Sequence, residues 1–423
     1  MAADPIGSVH IIGAGLAGLA AALSLGAAGR RVVIHEAAPQ AGGRCRSYFD
    51  PVLGRRIDNG NHLLLSANRA ALAYLGEIGA AGSLSAGGGP IPFLDLATGQ
   101  AWSLALGDGG FLRRLSAPLR QVPGANLRDG IGMLRLAAAG PRTTVTQSVG
   151  RGPLMERFWH PLTTAVLNAH PDEASAVLLR SVMRTAMVEG GDGLVPLTAK
   201  IGLSESFVDP ALATLAARGA KIRFGRRLRG IDFNDRRATT LHFHGDSVAL
   251  VEGNAVVVAV GPTVAGGLLP GLSAPKDTSG ILNAHFLLDA PGRLRGGEAL
   301  IGLIGGTAEW VFLRDTLASV TVSAADALLE RPAEELLDIL WRDTAAALGR
   351  PDTPRPPGRI VKEKRATFRQ TPEAARQRPP QRTAWRNLVL AGDWTDTGLP
   401  ATIEGAIRSG RAAAEAVLTY GAD

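Results

Sequence analysis

A single cysteine, Cys45, among 423 residues excludes an internal disulfide and removes the usual thiolate metal site. A reducing, cytoplasmic compartment fits that scarcity. Aromatics make up only 5% of the chain and tyrosine occurs three times. Charge is lopsided, with 45 Lys and Arg against 38 Asp and Glu, a formal net charge of +7 and a pI near 10.1. That balance favours anionic surfaces. No basic run is interleaved with aromatics, so nucleic acid is disfavoured as a partner. His242 and His244 alternate along one stretch, but no third ligand lies near them and no metal site is expected. The start, MAADPIGS, has neither a basic segment nor an apolar core, so no export signal is expected. Ile11 to Gly29 carries no charge and approaches a membrane-spanning length. Its glycines fall where a turn, a packing face and a helix end would need them, and Arg30-Arg31 leads into a β-branched strand. The expectation is a soluble protein that can sit peripherally on an anionic membrane.

What is present begins at Val9, with VHIIGAGLAGLAAALSLGAAGRRVVIHE running to Glu36. This reads as strand, glycine turn, helix, strand and terminal carboxylate, the pattern of a dinucleotide site. Gly13 permits the tight turn, Gly15 lets a pyrophosphate approach the backbone, and Gly18 lets the helix pack closely on the sheet. The helix start at Leu16, Ala17 and Gly18 offers unpaired N–H groups and a positive dipole end to the phosphates. Glu36, eighteen residues after Gly18, suits the ribose hydroxyls and would repel a 2′-phosphate.

Gly42-Gly43-Arg44 adds a second glycine pair and a cation able to reach the pyrophosphate, and Asn387 to Gly410 reads NLVLAGDWTDTGLPATIEGAIRSG. These two segments resemble the FAD signatures at the two ends of the amine oxidase and phytoene desaturase superfamily. The resemblance implies non-covalent FAD, with Gly392 and Asp393 at the ribityl–phosphate region. The helix starting near Thr402-Ile403 would aim its amides at the flavin O2. It also implies that Asp58-Asn59-Gly60-Asn61-His62 passes over the isoalloxazine, with Gly60 and Asn61 against the ring, and that Leu228 lies in the segment that reads the adenine. Cys45, just after the pyrophosphate turn, should lie far from the ring.

The element pattern gives an α/β fold: a Rossmann-like FAD-binding domain with a discontinuous α+β substrate domain, built from a mixed or antiparallel sheet and a helical cap. The expected division is residues 1–67, 205–265 and 385–423 for the FAD-binding domain and 68–204 and 266–384 for the substrate domain. Phe111 to Gly140 is basic and amphipathic; it reads as a helical cap with a solvated arginine face, or as a helix pair resting on anionic headgroups.

GNHLLL near residue 60, FWHPLTTAVLN near residue 160, Gly193 to Asp209 and Glu309-Trp310-Val311-Phe312 look like the squalene-associated branch of the superfamily, the hydroxysqualene dehydroxylases. The resemblance implies a long isoprenoid substrate, a C30 allylic alcohol reduced by hydride from flavin, in triterpene precursor synthesis. Amine oxidases of the superfamily use an aromatic cage and a lysine near the flavin. Here tyrosines are few, and no lysine lies between Lys276 and Lys362, which weighs against amine oxidation. An oxidative polyene desaturase and a non-catalytic lipid-binding flavoprotein stay open. Phe158, Trp159, Phe286, Trp310 and Phe312 are candidate lining for a hydrocarbon or ordinary core. The leaving hydroxyl needs an acid, for which His62, Asp58 and Glu404 are candidates; His62 is preferred, with Asn61 orienting the hydroxyl. The other role open to His62 is a satisfied polar residue that caps Ser66 or a neighbouring strand. Only one dinucleotide fingerprint is present, so NAD(P)H could serve only as a dissociable external electron donor. The oligomeric state is not readable.

Overall fold

In the computed structural model the opening pattern becomes β1 (Val9–Ile12), α1 (Leu16–Ala27) and β2 (Val32–His35), with every residue of both strands buried. Residues 7–105, 111–126, 128–189 and 194–419 are described; the first six residues of the export-signal reading and Gly193 lie outside them. An antiparallel pair, β3 (Ser47–Asp50) and β4 (Arg55–Asp58), and α2 (Arg69–Glu77) follow. The next stretch holds β5 (Ile91–Asp95), β6 (Ala101–Leu104), α3 (Phe111–Gln121), α4 (Asp129–Ala137), α5 (His160–Leu167) and α6 (Ala176–Glu189). The chain returns through α7 (Asp209–Ala217), β7 (Lys221–Arg223) and β8 (Ala255–Val258). It leaves again through β9 (Thr278–Leu287), β10 (Leu300–Ile304), β11 (Trp310–Arg314), β12 (Leu317–Val322), α8 (Ala333–Ala347) and β13 (Gly358–Phe368). It closes with β14 (Leu388–Leu390) and α9 (Ile403–Thr419).

Three separated stretches of sequence build one parallel sheet in the order β7-β2-β1-β8-β14. Strands covered on both faces need nearly continuous apolar runs, which Val32–Ile34 and Ala255–Val258 supply and Val9–Ile12 supplies with buried His10 as its one polar residue. α1 and α9 meet backbone to backbone: a Cβ on Gly410 would stand 2.2 Å from the Ala17 carbonyl oxygen. Overpacking of that kind costs about 1–3 kcal/mol. The short side chains Ala17, Ala20, Ala413 and Ala414, all buried there, let the last helix lock onto the first. α2 shares this core through Ala71, Tyr74 and Leu75, with the Tyr74 hydroxyl donating to Phe207 O at 2.9 Å. Residues 69–77 therefore pack with the parallel-sheet layer and not with the cap to which the sequence reading assigned them. An amphipathic helix pattern fixes a buried face but not the body it is buried against.

The second layer is a mixed seven-stranded sheet, β13-β9-β12-β11-β10-β5-β6, in which only β10 and β5 run parallel. Alternation sorts its side chains onto two faces. Leu282, Ala284, Phe286, Val320 and Val322 pack on one side with Leu336, Leu337, Leu340 and Trp341 of α8. Phe286 stands 5.2 Å from Trp341, ring centroid to ring centroid, on this side. It is thus core against α8, the second of the two roles its sequence left open. The cap helices cover the β11-β10-β5-β6 end of that opposite face. Among the described residues no helix is long and apolar enough to cross a membrane.

Candidate functional site

The turn between β1 and α1 is set by glycine. Gly13 has φ +108°, and a Cβ there would stand 2.5 Å from Ala259 O; a Cβ on Gly18 would stand 2.0 Å from Gly13 O. Gly15 differs, because nothing lies within 4 Å of its Cβ direction, and the nearest boundary is Gly43, whose own Cβ would reach 3.4 Å from Gly15 Cα. The Gly42 N–H donates to Ala14 O at 2.8 Å, so the second glycine pair is strapped to the first. α1 has no side-chain cap and no acidic residue in its first turn. The amides at Leu16, Ala17 and Gly18 therefore start a helix whose anion-binding potential no side chain satisfies. Glu36 is pinned beside them, Oε2 accepting Ala14 N–H and Oε1 accepting Ala38 N–H, both at 2.7 Å. Each oxygen keeps lone-pair capacity for a ribose hydroxyl. Loop, helix start and carboxylate together fit the ADP half of a dinucleotide. Leu228 is buried among Ile12, Val256 and Val258, at the start of the strand that pairs with Arg237–Phe243.

The chain's last segment joins this turn through charge. Arg44 donates to Asp393 Oδ1 at 2.8 Å and to Ala366 O. Gly392, at φ +151°, has its N–H on Ser409 Oγ at 2.9 Å, and a Cβ there would strike Trp394 Nε1 at 2.5 Å. Buried Arg378, not flagged in the sequence, donates to Leu399 O at 2.7 Å and to Asp393 O at 3.2 Å, stapling the GDWTDTGLP loop. At the start of α9, Thr402 Oγ1 accepts Gly405 N–H at 3.1 Å, beside Ile403. Glu404 turns away: its carboxylate accepts Ala70 N–H at 3.1 Å, Ala71 N–H at 2.8 Å and Arg408 Nε at 2.7 Å. It caps α2.

Between the two layers lies Asp58-Asn59-Gly60-Asn61-His62, held on the second face of the mixed sheet by polar side chains that alternate with its apolar core. His285 Nε2 donates to Asp58 O at 3.0 Å, while its Nδ1 accepts from the Ser319 hydroxyl at 2.8 Å. Asn61 Nδ2 donates to Thr321 Oγ1 at 3.0 Å, Thr321 donates to Asn283 Oδ1 at 2.9 Å, and Asn283 Nδ2 reaches Asn59 O at 3.4 Å. Asp58 Oδ1 accepts from Ser47 Oγ at 2.6 Å and Leu203 N–H at 2.9 Å, and Oδ2 pairs with Arg314 at 3.1 Å. Both oxygens are thus committed to the protein, which makes Asp58 an anchor and takes it off the list of proton donors. A Cβ on Gly60 would point at Asn283 Nδ2 from 3.4 Å, so the segment lies flat on the sheet. The signal for this platform is in the sequence, as polar Asn283, His285, Ser319 and Thr321 at every second position of apolar strands.

His62 has no hydrogen-bond partner among the described residues, so the capping role is absent there. Burial, helped by Arg44 and opposed by Asp58, pulls its pKa down to about 4. It is a neutral imidazole at pH 7. Burial also pushes the Cys45 thiol well above its usual range. His242 pairs with Asp232 at 2.7 Å and Ser247 at 2.9 Å.

Farther along the same face the polar row gives way to Trp310, Phe312, Phe93 and Leu300, clustered with Leu63, Trp102 and Leu162. Phe93 stacks on Trp102 and meets Trp310 edge-on, both at 5.6 Å. Phe158 and Trp159 lie behind, 3% and 2% exposed, as packing. The site is therefore polar where the two layers meet and apolar under the cap.

A family model described as "Flavin containing amine oxidoreductase" matches residues 16–418. The chain is 45% identical over 417 residues to a hydroxysqualene dehydroxylase of Rhodopseudomonas palustris, covering 98% of this chain and 99% of that one. It is 42% identical to a hydroxysqualene dehydroxylase of Sinorhizobium fredii, covering 97% and 98%. A putrescine oxidase structure with putrescine bound superposes with a TM-score of 0.70 at 16% identity, covering 97% of this chain and 99% of that one, a likeness of fold.

Proposed function

The chain belongs to the flavin containing amine oxidoreductase family, and from that premise we propose that it is a hydroxysqualene dehydroxylase, reducing a C30 allylic alcohol to squalene. The near-full-length identity to two hydroxysqualene dehydroxylases carries the proposal. The site supports it: a row of aromatic and aliphatic side chains suits a polyene, and the lysine-free polar row suits a neutral hydroxyl better than an amine. FAD is the flavin that the turn, Glu36 and the strapped GGR and GDW segments fit, held without a covalent bond. When bound and reduced it supplies the hydride. The protein's part is to place the allylic carbon against it, exclude water and deliver one proton to the leaving oxygen. Asn61, its amide nitrogen committed to Thr321, keeps its carbonyl oxygen to orient the substrate hydroxyl. His62 beside it is a neutral wall and hydrogen-bonding group. The π faces of Trp310 and Phe312 are suited to positive charge on the allylic carbon from which the oxygen departs.

With one dinucleotide fingerprint in the chain, we infer a dissociable nicotinamide as electron donor. We also infer peripheral contact with an anionic membrane through α4, where Met133 and Leu136 pack inward while Ile131 and Leu134 stand 51% and 68% exposed beside exposed Arg128 and Arg135. Anaerobic incubation of the reduced enzyme with hydroxysqualene tests the reaction itself. Squalene must accumulate in step with flavin oxidation; unchanged alcohol would refute it.

A further inference from the structure

Two of the motifs that carry the resemblance meet at one carboxyl group. Glu309 opens Glu309-Trp310-Val311-Phe312, and its side chain turns onto the end of β12, where an oxygen accepts the Ser323 N–H at 2.8 Å. Thr164, from FWHPLTTAVLN, faces the same carboxyl, its hydroxyl proton given to the His160 and Pro161 carbonyls at 3.2 and 3.3 Å. Four residues on, Asn168 Oδ1 accepts Ala324 N–H at 2.7 Å, fastening α5 to the same strand end. The backbone N–H of Glu309 donates to Thr321 O at 3.2 Å, and Thr321 is the residue whose hydroxyl holds Asn61. Alternate positions of a strand are spaced by about 7 Å. Ser323 follows Thr321 by two residues, just past the end of β12, so the amide that the carboxyl accepts from lies about one such step along the chain from the residue that holds Asn61.

We propose that Glu309 is the general acid of the dehydroxylation, giving its carboxyl proton to the substrate hydroxyl as the C–O bond breaks. The inference rests on the dehydroxylase reading. The oxygen leaves as water with the C–O electron pair. The allylic carbon takes the two electrons and hydrogen that reduced flavin supplies, a nicotinamide restores the flavin, and the Glu309 carboxylate regains a proton from solvent. Alcohol, hydride and proton thus balance to hydrocarbon and water. The groups facing the carboxyl, Ser323 just beyond β12 and Thr164 on α5, are neutral, and among the described residues no cation acts on it. Burial without a counter-charge pushes its pKa up to about 7, so about half the molecules hold the proton at neutral pH. Imidazolium at His62, with a pKa of about 4, would be present in roughly one molecule in a thousand. Supply therefore favours Glu309 over the histidine that the sequence put forward.

Glu309→Gln keeps an acceptor for the Ser323 N–H and removes the proton, which makes it the informative variant. Reduced holoenzyme is mixed anaerobically with hydroxysqualene across pH 5.5–9, and flavin reoxidation is followed in a single turnover. Wild type should slow as pH rises through about 7. The variant should retain FAD and its melting temperature, slow by about 10²–10⁴-fold and lose that pH dependence, with Glu309→Asp recovering part of the rate. The allylic acetate of the substrate, whose leaving group departs as a stabilised anion, should narrow the gap between Gln variant and wild type. A Gln variant with wild-type rate and pH profile would overturn the assignment while leaving the dehydroxylase reading intact. Loss of flavin in both variants would make Glu309 a structural cap and overturn it too. Wild type that hydroxysqualene cannot reoxidise would overturn the reading and the inference together.

Discussion

Arg314→Met separates the anchoring role of Asp58 from a chemical one. The guanidinium pairs with Asp58 Oδ2 at 3.1 Å, with side-chain exposures of 28% and 7%. Stripping one partner from a buried pair costs about 3–5 kcal/mol. Partial exposure of Arg314 lets water reach the orphaned carboxylate, whose other oxygen keeps Ser47 and Leu203, so about 2–3 kcal/mol is expected here. Asp58→Asn retains the Oδ1 contacts and should cost about 1–2 kcal/mol by losing the charge. The double variant should then lose less than the two singles together, by about 1–2 kcal/mol, because neither charge is left alone. Urea unfolding of the holoprotein, followed by tryptophan and flavin fluorescence, measures the four corners of that cycle. Additivity within about 0.5 kcal/mol would refute the coupling. In turnover, Asp58→Asn should slow reoxidation less than about tenfold. A loss of 10²-fold or more with flavin intact would restore Asp58 as a proton donor.

Glu36→Ala removes the acceptor for Ala14 and Ala38 as well as the ribose contacts, and should raise the FAD dissociation constant by about 10–100-fold, or about 1.5–3 kcal/mol; unchanged retention in fluorescence titration would refute the ribose assignment. His10, His35 and His285 are buried with pKa values lowered to about 4, 3 and 4, in each case chiefly by desolvation. The unfolded chain binds protons at these sites below pH 6.5, so their stabilisation is complete above 6.5 and is lost as pH falls towards 4. For His285 alone the loss is up to about 3 kcal/mol. Glu309 runs the other way, its share present below pH 4.5 and lost as pH rises through about 7. With these three and His62, also lowered to about 4, against one, the melting temperature should fall steeply from pH 6.5 to 4.5, and a flat profile would contradict these assignments. Ile131→Glu with Leu134→Glu should reduce sedimentation with anionic vesicles, and salt should do the same to wild type, since screening acts over about 10 Å at 0.1 M. Equal binding to neutral vesicles at high salt would remove the electrostatic contribution.

The ends of the site were legible because glycine encodes backbone geometry directly: Gly13 makes the tight turn and Gly18 the close approach that their spacing implies. The mixed sheet was legible from its apolar strands and the glycine turns between them, but not which face meets the cap, so Phe286 stayed between lining and core until Trp341 placed it. α2 was misplaced for the same reason, a buried stripe with no label for its partner. What local pattern could not reveal is tertiary pairing across hundreds of positions. Arg314 meets Asp58 across 256 residues, His285 meets its carbonyl across 227, and Asn168 meets Ala324 across 156. Glu309 stood in the sequence only as the first residue of Glu309-Trp310-Val311-Phe312; Ser323 and Thr164 come to face it through tertiary packing. His62 drew attention through its position, yet its surroundings keep it neutral.

The direction of electron flow tests the central claim most directly. Anaerobic stopped-flow mixing of photoreduced holoenzyme with hydroxysqualene should restore oxidised flavin absorbance in one turnover and release squalene in equal amount, while oxidised holoenzyme mixed with squalene should keep its spectrum. Reduced enzyme that stays reduced, together with oxidised enzyme bleached by the hydrocarbon, would mean that hydride leaves the substrate, and the account given above would be wrong.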